Sequence, residues 1–125
     1  MILGLGIDLI EVSRFERHIA RHGEDVIEQV LSAPEIACCR RARHPHRAYA
    51  TRFAAKEAFL KALGTGLAGG ISWHDAEVEG AGTGRPRLTV RGLARRRLDE
   101  LGATRVHLDL THTARHAAAV VVLEG

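Results

Sequence analysis

Five charged side chains stand where charge is costly, and they define what chemistry this sequence can do. Asp8 interrupts an apolar run covering residues 2–12. Residues 52–63, wound at about 100° per residue, are apolar around most of the helix circumference. The charges of that helix fall at helical spacing, Arg52 with Lys56 and Glu57 with Lys61. On an exposed helix such pairs are surface contacts worth ~0.3–0.5 kcal/mol. Among apolar neighbours they are at least partly desolvated, and a buried charge needs compensation. Asp8 can cap a backbone group or pair with an arginine. Alternatively, Asp8 and Glu57 converge on one hard cation, because two carboxylates, waters and substrate phosphates are a common way to hold Mg2+.

These side chains need elements to position them. Alternation and β-branched enrichment over residues 2–12 predict a strand. Ser13 and Glu16 have capping-box spacing and predict a helix to about Arg21, followed by a short helix over 24–31. Ser32 and Glu35 repeat the spacing, with Pro34 in the first turn of a third helix that Pro45 closes. A long helix over 47–63 follows, stopped by Gly64, and four glycines make 64–70 a flexible loop. Residues 71–79 and 87–90 read as a hairpin joined by Gly80–Gly84, and 92–101 as a helix with Gly102 beyond its end. Strands are expected over 105–110 and 117–123. The pattern implies one α+β domain over residues 1–125.

Composition narrows the partners. Apolar residues at 46% and charged residues at 26% suit a globular core, and no apolar run approaches the ~20 residues that span a bilayer. The start lacks a basic leader and a cleavage site, and adjacent Cys38 and Cys39 give no metal spacing, so a reduced cytoplasmic protein without a membrane role is expected. Of 18 basic residues only Lys56 and Lys61 are lysine, and the net charge is +3. Arginine forks at that charge favour anionic partners: nucleotides, nucleic acid or an acidic protein. An RNA-binding module is the competing reading, but 4% aromatics supply no stacking platform, so no nucleic-acid partner is expected. Arg14, Arg17 and Arg21 form one basic stripe on the first helix, which by itself is an ordinary solvated face. Arg52 and Lys56 lie about 100° or more from the Glu57/Lys61 face and are free to grip another part of a long ligand. His44–His46 reads as a polar turn. His112 and His116 have i,i+4 spacing, but zinc would need helix geometry and further ligands.

Three segments now form a pattern: Gly4-Leu-Gly-Ile-Asp8 through Arg14, Arg52-Phe-Ala-Ala-Lys-Glu57-Ala-Phe-Leu-Lys61 through Gly66, and Val106 through His112-Thr113. In that order they resemble the phosphopantetheinyl transferases, most closely the small holo-acyl-carrier-protein synthases. The resemblance implies transfer of the 4′-phosphopantetheine arm of coenzyme A to a serine of an acyl carrier protein, in fatty acid or polyketide biosynthesis. It also implies a helix-flanked antiparallel sheet and a homotrimer with coenzyme A between subunits. Asp8 and Glu57 would then hold Mg2+, Lys61 would stabilise the leaving phosphate, and Glu57 or cation-bound water would take the serine proton. Coenzyme A contacts would come from Arg52, Lys61, Gly64, Thr65, His112 and Thr113, with Arg52 near the 3′-phosphate. Arg14 and Arg21 would dock the carrier. Asp109 departs from the family, whose members often carry a hydroxyl there. A carrier-binding protein without activity is a further alternative, against which Asp8, Glu57 and Lys61 all stand intact.

Overall fold

A computed structural model describes residues 1–81 and 84–125. Strand β1 (Ile2–Glu11) runs directly into α1 (Val12–His22), and α2 (Asp25–Val30) and α3 (Ala33–Arg40) lead to the long α4 (Pro45–Leu63). Then come β2 (Ala76–Glu79), β3 (Arg87–Val90), α5 (Gly92–Leu101), β4 (Arg105–His112) and β5 (His116–Glu124). Two antiparallel sheets result, one in the order β1-β5-β4 and one pairing β2 with β3. The middle of the connection expected at Gly80–Gly84 lies outside the described residues.

Helix α4 lies across the inner face of the three-stranded sheet, and two glycines make that possible. A Cβ on Gly6 would stand 1.8 Å from the Ala58 carbonyl oxygen, and one on Gly4 would stand 2.3 Å from that of Ala62. Two residues of strand advance about 6.8 Å and four residues of helix about 6.0 Å, so strand and helix stay nearly in step over this contact. Ala54, Ala55 and Ala58 are fully buried, keeping the helix surface low enough for this approach. Asp8 continues the Gly4, Gly6 series on the face that α4 covers.

The other face of that sheet is open. Leu5, Ile7 and Leu9 are 64–68% exposed on β1, and their cross-strand partners on β5 are Val122, Val120 and Ala118. No helix among the described residues is long and apolar enough to cross a membrane.

Several local expectations are corrected. Ser13 does not cap α1, whose N-cap is Glu11 with no side-chain cap bond; Ser13 Oγ instead donates to Glu11 Oε1 at 2.9 Å. The helix begins earlier because β1 feeds it without a turn, the Val12 amide donating to the Arg115 carbonyl at 2.8 Å. Pro45 opens α4 rather than closing α3, and His44 is its N-cap, so residues 44–46 are a helix start and not a free turn. Proline is tolerated there because a first-turn N–H has no helical partner. Only the last four residues of 71–79 are strand; Trp73–Asp75 form a 3-10 turn closed by a Ser72/Asp75 capping box. The Ser32/Glu35 box and the left-handed stop at Gly64 (φ 78°) occur as the spacing predicts.

Candidate active site

From Tyr49 to Leu63 only Phe53, Glu57 and Lys61 are not buried. Spaced four apart, they form one open line along an otherwise covered helix. Lys61 does not close onto Glu57 as an i,i+4 pair. Its Nζ donates to Asp8 Oδ1 at 3.0 Å and to the Ile7 carbonyl at 3.0 Å. Thus strand and helix bring the two acids and one lysine together from positions 8, 57 and 61. Burial pushes the Glu57 carboxyl above the usual carboxylate range, the negative charge of Asp8 adds to that, and Lys61 pulls the other way.

This corner rims a cavity of about 490 Å³ lined by Glu57, Leu60, Lys61, Gly64, Gly66, Leu67 and Trp73. Gly66 rather than Thr65 lines it. One wall is charged, the other apolar. Among the described residues no three His, Cys, Asp or Glu side chains gather as a ready-made metal cage. Asp8 and Glu57 nonetheless fit a Mg2+ ion, which needs only one or two carboxylates when waters and substrate phosphates complete its shell. Their mutual repulsion, with Lys61 the single cation bonded to Asp8 among the described residues, is the condition such an ion would relieve.

Arg52 is placed elsewhere. Five residues before Glu57, it lies about 140° around the helix. It lines a second cavity, about 680 Å³, with Arg41, Arg43, Arg47, Asp109 and His112. Arg52 is 6% exposed; it donates to the Ala48 carbonyl at 3.3 Å and to Cys38 Sγ at 3.3 Å, and its Nε is buried without a partner among the described residues. A buried, partly unsatisfied guanidinium among other arginines is suited to an anion. Thr113 does not line this cavity, and its Oγ1 accepts from the Arg115 and His116 amides at 3.2 and 3.1 Å in the turn between β4 and β5. The two cavities share no lining residue.

Lys56 overturns its sequence expectation. It is 1% exposed and its Nζ donates to Glu35 Oε1 at 2.7 Å, to the Val30 carbonyl at 2.7 Å and to the Trp73 carbonyl at 3.3 Å. With three donors spent it is out of reach of any ligand. Glu35 was not singled out as its partner, because the 21-residue separation leaves no periodic trace.

A third cavity, about 780 Å³, lies against α1. Its floor holds Leu9, Phe15, Val26 and Phe53, and its rim holds Arg14, Arg17 and Arg21, all exposed. Phe53 and Trp73 are residues that sequence reasoning missed as site-lining. The signal was there for Phe53, which precedes Glu57 by four.

A family model of the 4′-phosphopantetheinyl transferase superfamily matches residues 4–121. The chain is 50% identical over 128 aligned residues to a holo-[acyl-carrier-protein] synthase of Alkalilimnicola ehrlichii, covering 100% of this chain and 98% of that one. The fold is similar to the crystal structure of the Neisseria meningitidis holo-[acyl-carrier-protein] synthase, with a TM-score of 0.90 at 32% identity and 100% coverage of both chains. It is also similar to the Helicobacter pylori holo-[acyl-carrier-protein] synthase in complex with coenzyme A, with a TM-score of 0.81, 28% identity and coverage of 96% and 99%. The chain belongs to the 4′-phosphopantetheinyl transferase superfamily, among its holo-[acyl-carrier-protein] synthases.

Proposed function

We propose that this enzyme moves the 4′-phosphopantetheine group of coenzyme A onto a serine of an apo acyl carrier protein, with Mg2+, in cytoplasmic fatty acid or polyketide synthesis. The observation that carries the reading is that Glu57 and Lys61 line one cavity while Asp8 joins them through its bond to Lys61. The serine oxygen forms a bond to the β-phosphorus, the pyrophosphate bridge breaks, and adenosine 3′,5′-bisphosphate leaves. Mg2+, held by Asp8 and Glu57, would supply Lewis-acid neutralisation of the pyrophosphate charge. Glu57, with its raised pKa, accepts the serine proton. Lys61 has spent two of its donors on Asp8 and Ile7, leaving another for an oxygen of the leaving phosphate.

Arg52 and His112 suit the 3′-phosphate end of coenzyme A, and the spare Nε of Arg52 supports that placement. Gly64, with Gly66, lets the ligand approach the α4 C-terminus, while Thr65 and Thr113 have no observed part. Because the Arg52 cavity and the Glu57 cavity lie about 140° apart on α4, one coenzyme A reaches both kinds of cavity most directly across two chains. The open apolar face of β1 and β5 supplies a surface for a homotrimer of single-domain chains. The arginine rim and apolar floor beside α1 fit an acidic helix of the carrier, with Arg14 and Arg21 as contacts.

Incubation with an apo carrier, coenzyme A and Mg2+, followed by intact-mass measurement, should show a gain of one phosphopantetheine that chelator abolishes. No mass gain would remove the assignment.

A further inference from the structure

Of the charged pairs that the transfer chemistry does not use, one is the most deeply enclosed among the described residues. Lys56 and Glu35 are each 1% exposed in their side chains and meet at 2.7 Å. Glu35 Oε1 also accepts from the Ser32 amide at 2.8 Å, and Oε2 accepts from the Val78 amide at 2.8 Å. Lys56 reaches the Val30 and Trp73 carbonyls as well. One ion pair thereby ties together the end of α2, the first turn of α3, the middle of α4, the turn carrying Trp73, and β2.

Trp73 is the member of this hub that touches the site. Its ring stacks on Phe53, with centroids 5.4 Å apart at 29°. Phe53 in turn meets Phe15 of α1 at 5.5 Å. Trp73 lines the cavity of Glu57 and Lys61, whereas Phe53 lines the arginine-rimmed cavity. The aromatic pair is therefore the wall common to the two places where donor and acceptor substrates would sit. The turn is closed by its Ser72/Asp75 box and tied at His74 to the Glu28 carbonyl and at Asp75 to the Ala94 amide, whereas Trp73 itself is seated against α4 by the Lys56 bond and the Phe53 stack.

We propose that Lys56 and Glu35 are positioning residues of the transfer site: they hold Trp73 against α4 and so fix the apolar wall along which the pantetheine arm reaches Glu57 and Lys61. This rests on reading the chain as a phosphopantetheinyl transferase. Misplacing a bound reactant by about 1 Å is enough to cost ~10²-fold in rate, so a loosened wall is felt in turnover.

Trp73 is the single tryptophan of the chain, which gives the wall its own optical reporter. The test is the double substitution Lys56→Met with Glu35→Gln, which removes both charges together and strands neither. With native far-UV circular dichroism, acrylamide quenching of Trp73 should rise at least about two-fold. In the same variant kcat should fall roughly 10–100-fold, with the KM for the carrier changing by less than about two-fold because the Arg14, Arg17 and Arg21 rim of the α1 groove keeps its charges. A folded double variant with wild-type quenching, or with wild-type kcat, overturns the proposal. If the double variant does not fold, Trp73→Leu leaves the pair intact and must give the same loss of kcat with less than about a two-fold change in carrier KM; wild-type turnover there overturns it equally. A wild-type chain that transfers nothing overturns the reading and the proposal together. An active wild type beside an unperturbed variant overturns the proposal alone.

Discussion

Helix α4 carries two lysine–carboxylate pairs, one sealed and one open. In the sealed pair, Lys56 and Glu35 have every donor and acceptor engaged and almost no exposure. In the open pair, the Lys61 side chain is 53% exposed and bonds Asp8, while Glu57 makes no hydrogen bond or ion pair among the described residues. Lys56 and Glu57 are consecutive, so about 100° of helical rotation separates a structural charge from one left for ligands. Satisfied charges hold elements together; charges left short of partners are the ones that can meet substrate.

Substitutions should separate the two pairs by kind of damage. Glu57→Ala or Asp8→Ala is expected to lower kcat by about 10³-fold, the scale of losing a principal electrostatic stabiliser, with the denaturant midpoint nearly unchanged. Turnover near wild type in saturating Mg2+ would break the contrast at its open end. Lys56→Ala is the converse, leaving the Glu35 charge buried and unpaired at a cost of about 3–5 kcal/mol in urea unfolding. A stability loss below about 1 kcal/mol would show that the sealed pair is not what holds these elements.

The next prediction tests how the open pair is assembled. Gly6→Ala places a methyl on the Ala58 carbonyl oxygen, so α4 must lift from β1 and carry Glu57 and Lys61 away from Asp8. Overpacking of this sort costs about 1–3 kcal/mol, and here kcat should fall with it. Gly64→Ala also destabilises, through its φ of 78°, but among the described residues nothing lies within 4 Å of the added Cβ, so α4 need not lift and the functional loss should appear as a raised KM for coenzyme A, whose cavity Gly64 lines. Arg14→Glu should act on neither pair. It should raise the carrier KM roughly 10-fold and flatten its salt dependence, at unchanged KM for coenzyme A.

Local signals placed most elements before any coordinates did. The spans 87–90 and 92–101 match β3 and α5, and the Ser32 box and the Gly64 stop stand where spacing put them. Asp8, Glu57 and Lys61 were legible because charge inside apolar surroundings is conspicuous. The Lys56–Glu35 hub was not, since its members sit 21 positions apart and two of Lys56's partners are backbone carbonyls. Residues 71–75 were misread because Ile71 and Trp73 favour strands by type, while the Ser72/Asp75 box bends the chain into a turn. The Gly4 and Gly6 pattern carries no local sign of its role, because close approach of a helix is a tertiary fact.

The smallest expected effect concerns two serines with the same sequence signature. Ser13 and Ser32 each precede a glutamate by three positions and look alike as caps. Only Ser32 Oγ accepts from the amide three residues on, and only its glutamate reaches back to the N-cap amide. Glu35 completes that box with the same oxygen that receives Lys56, so the cap and the sealed pair are joined at one atom. Ser32→Ala should therefore cost about 1 kcal/mol or slightly more, while Ser13→Ala, losing only an exposed bond to Glu11, should stay within about 0.5 kcal/mol. In a cycle with Lys56→Met, the Ser32→Ala cost should change, because residues sharing a partner are not additive, whereas the Ser13→Ala cost should not. Equal costs for the two serines would mean that capping at α3 contributes nothing to the hub, and that the sealed pair stands without its neighbours.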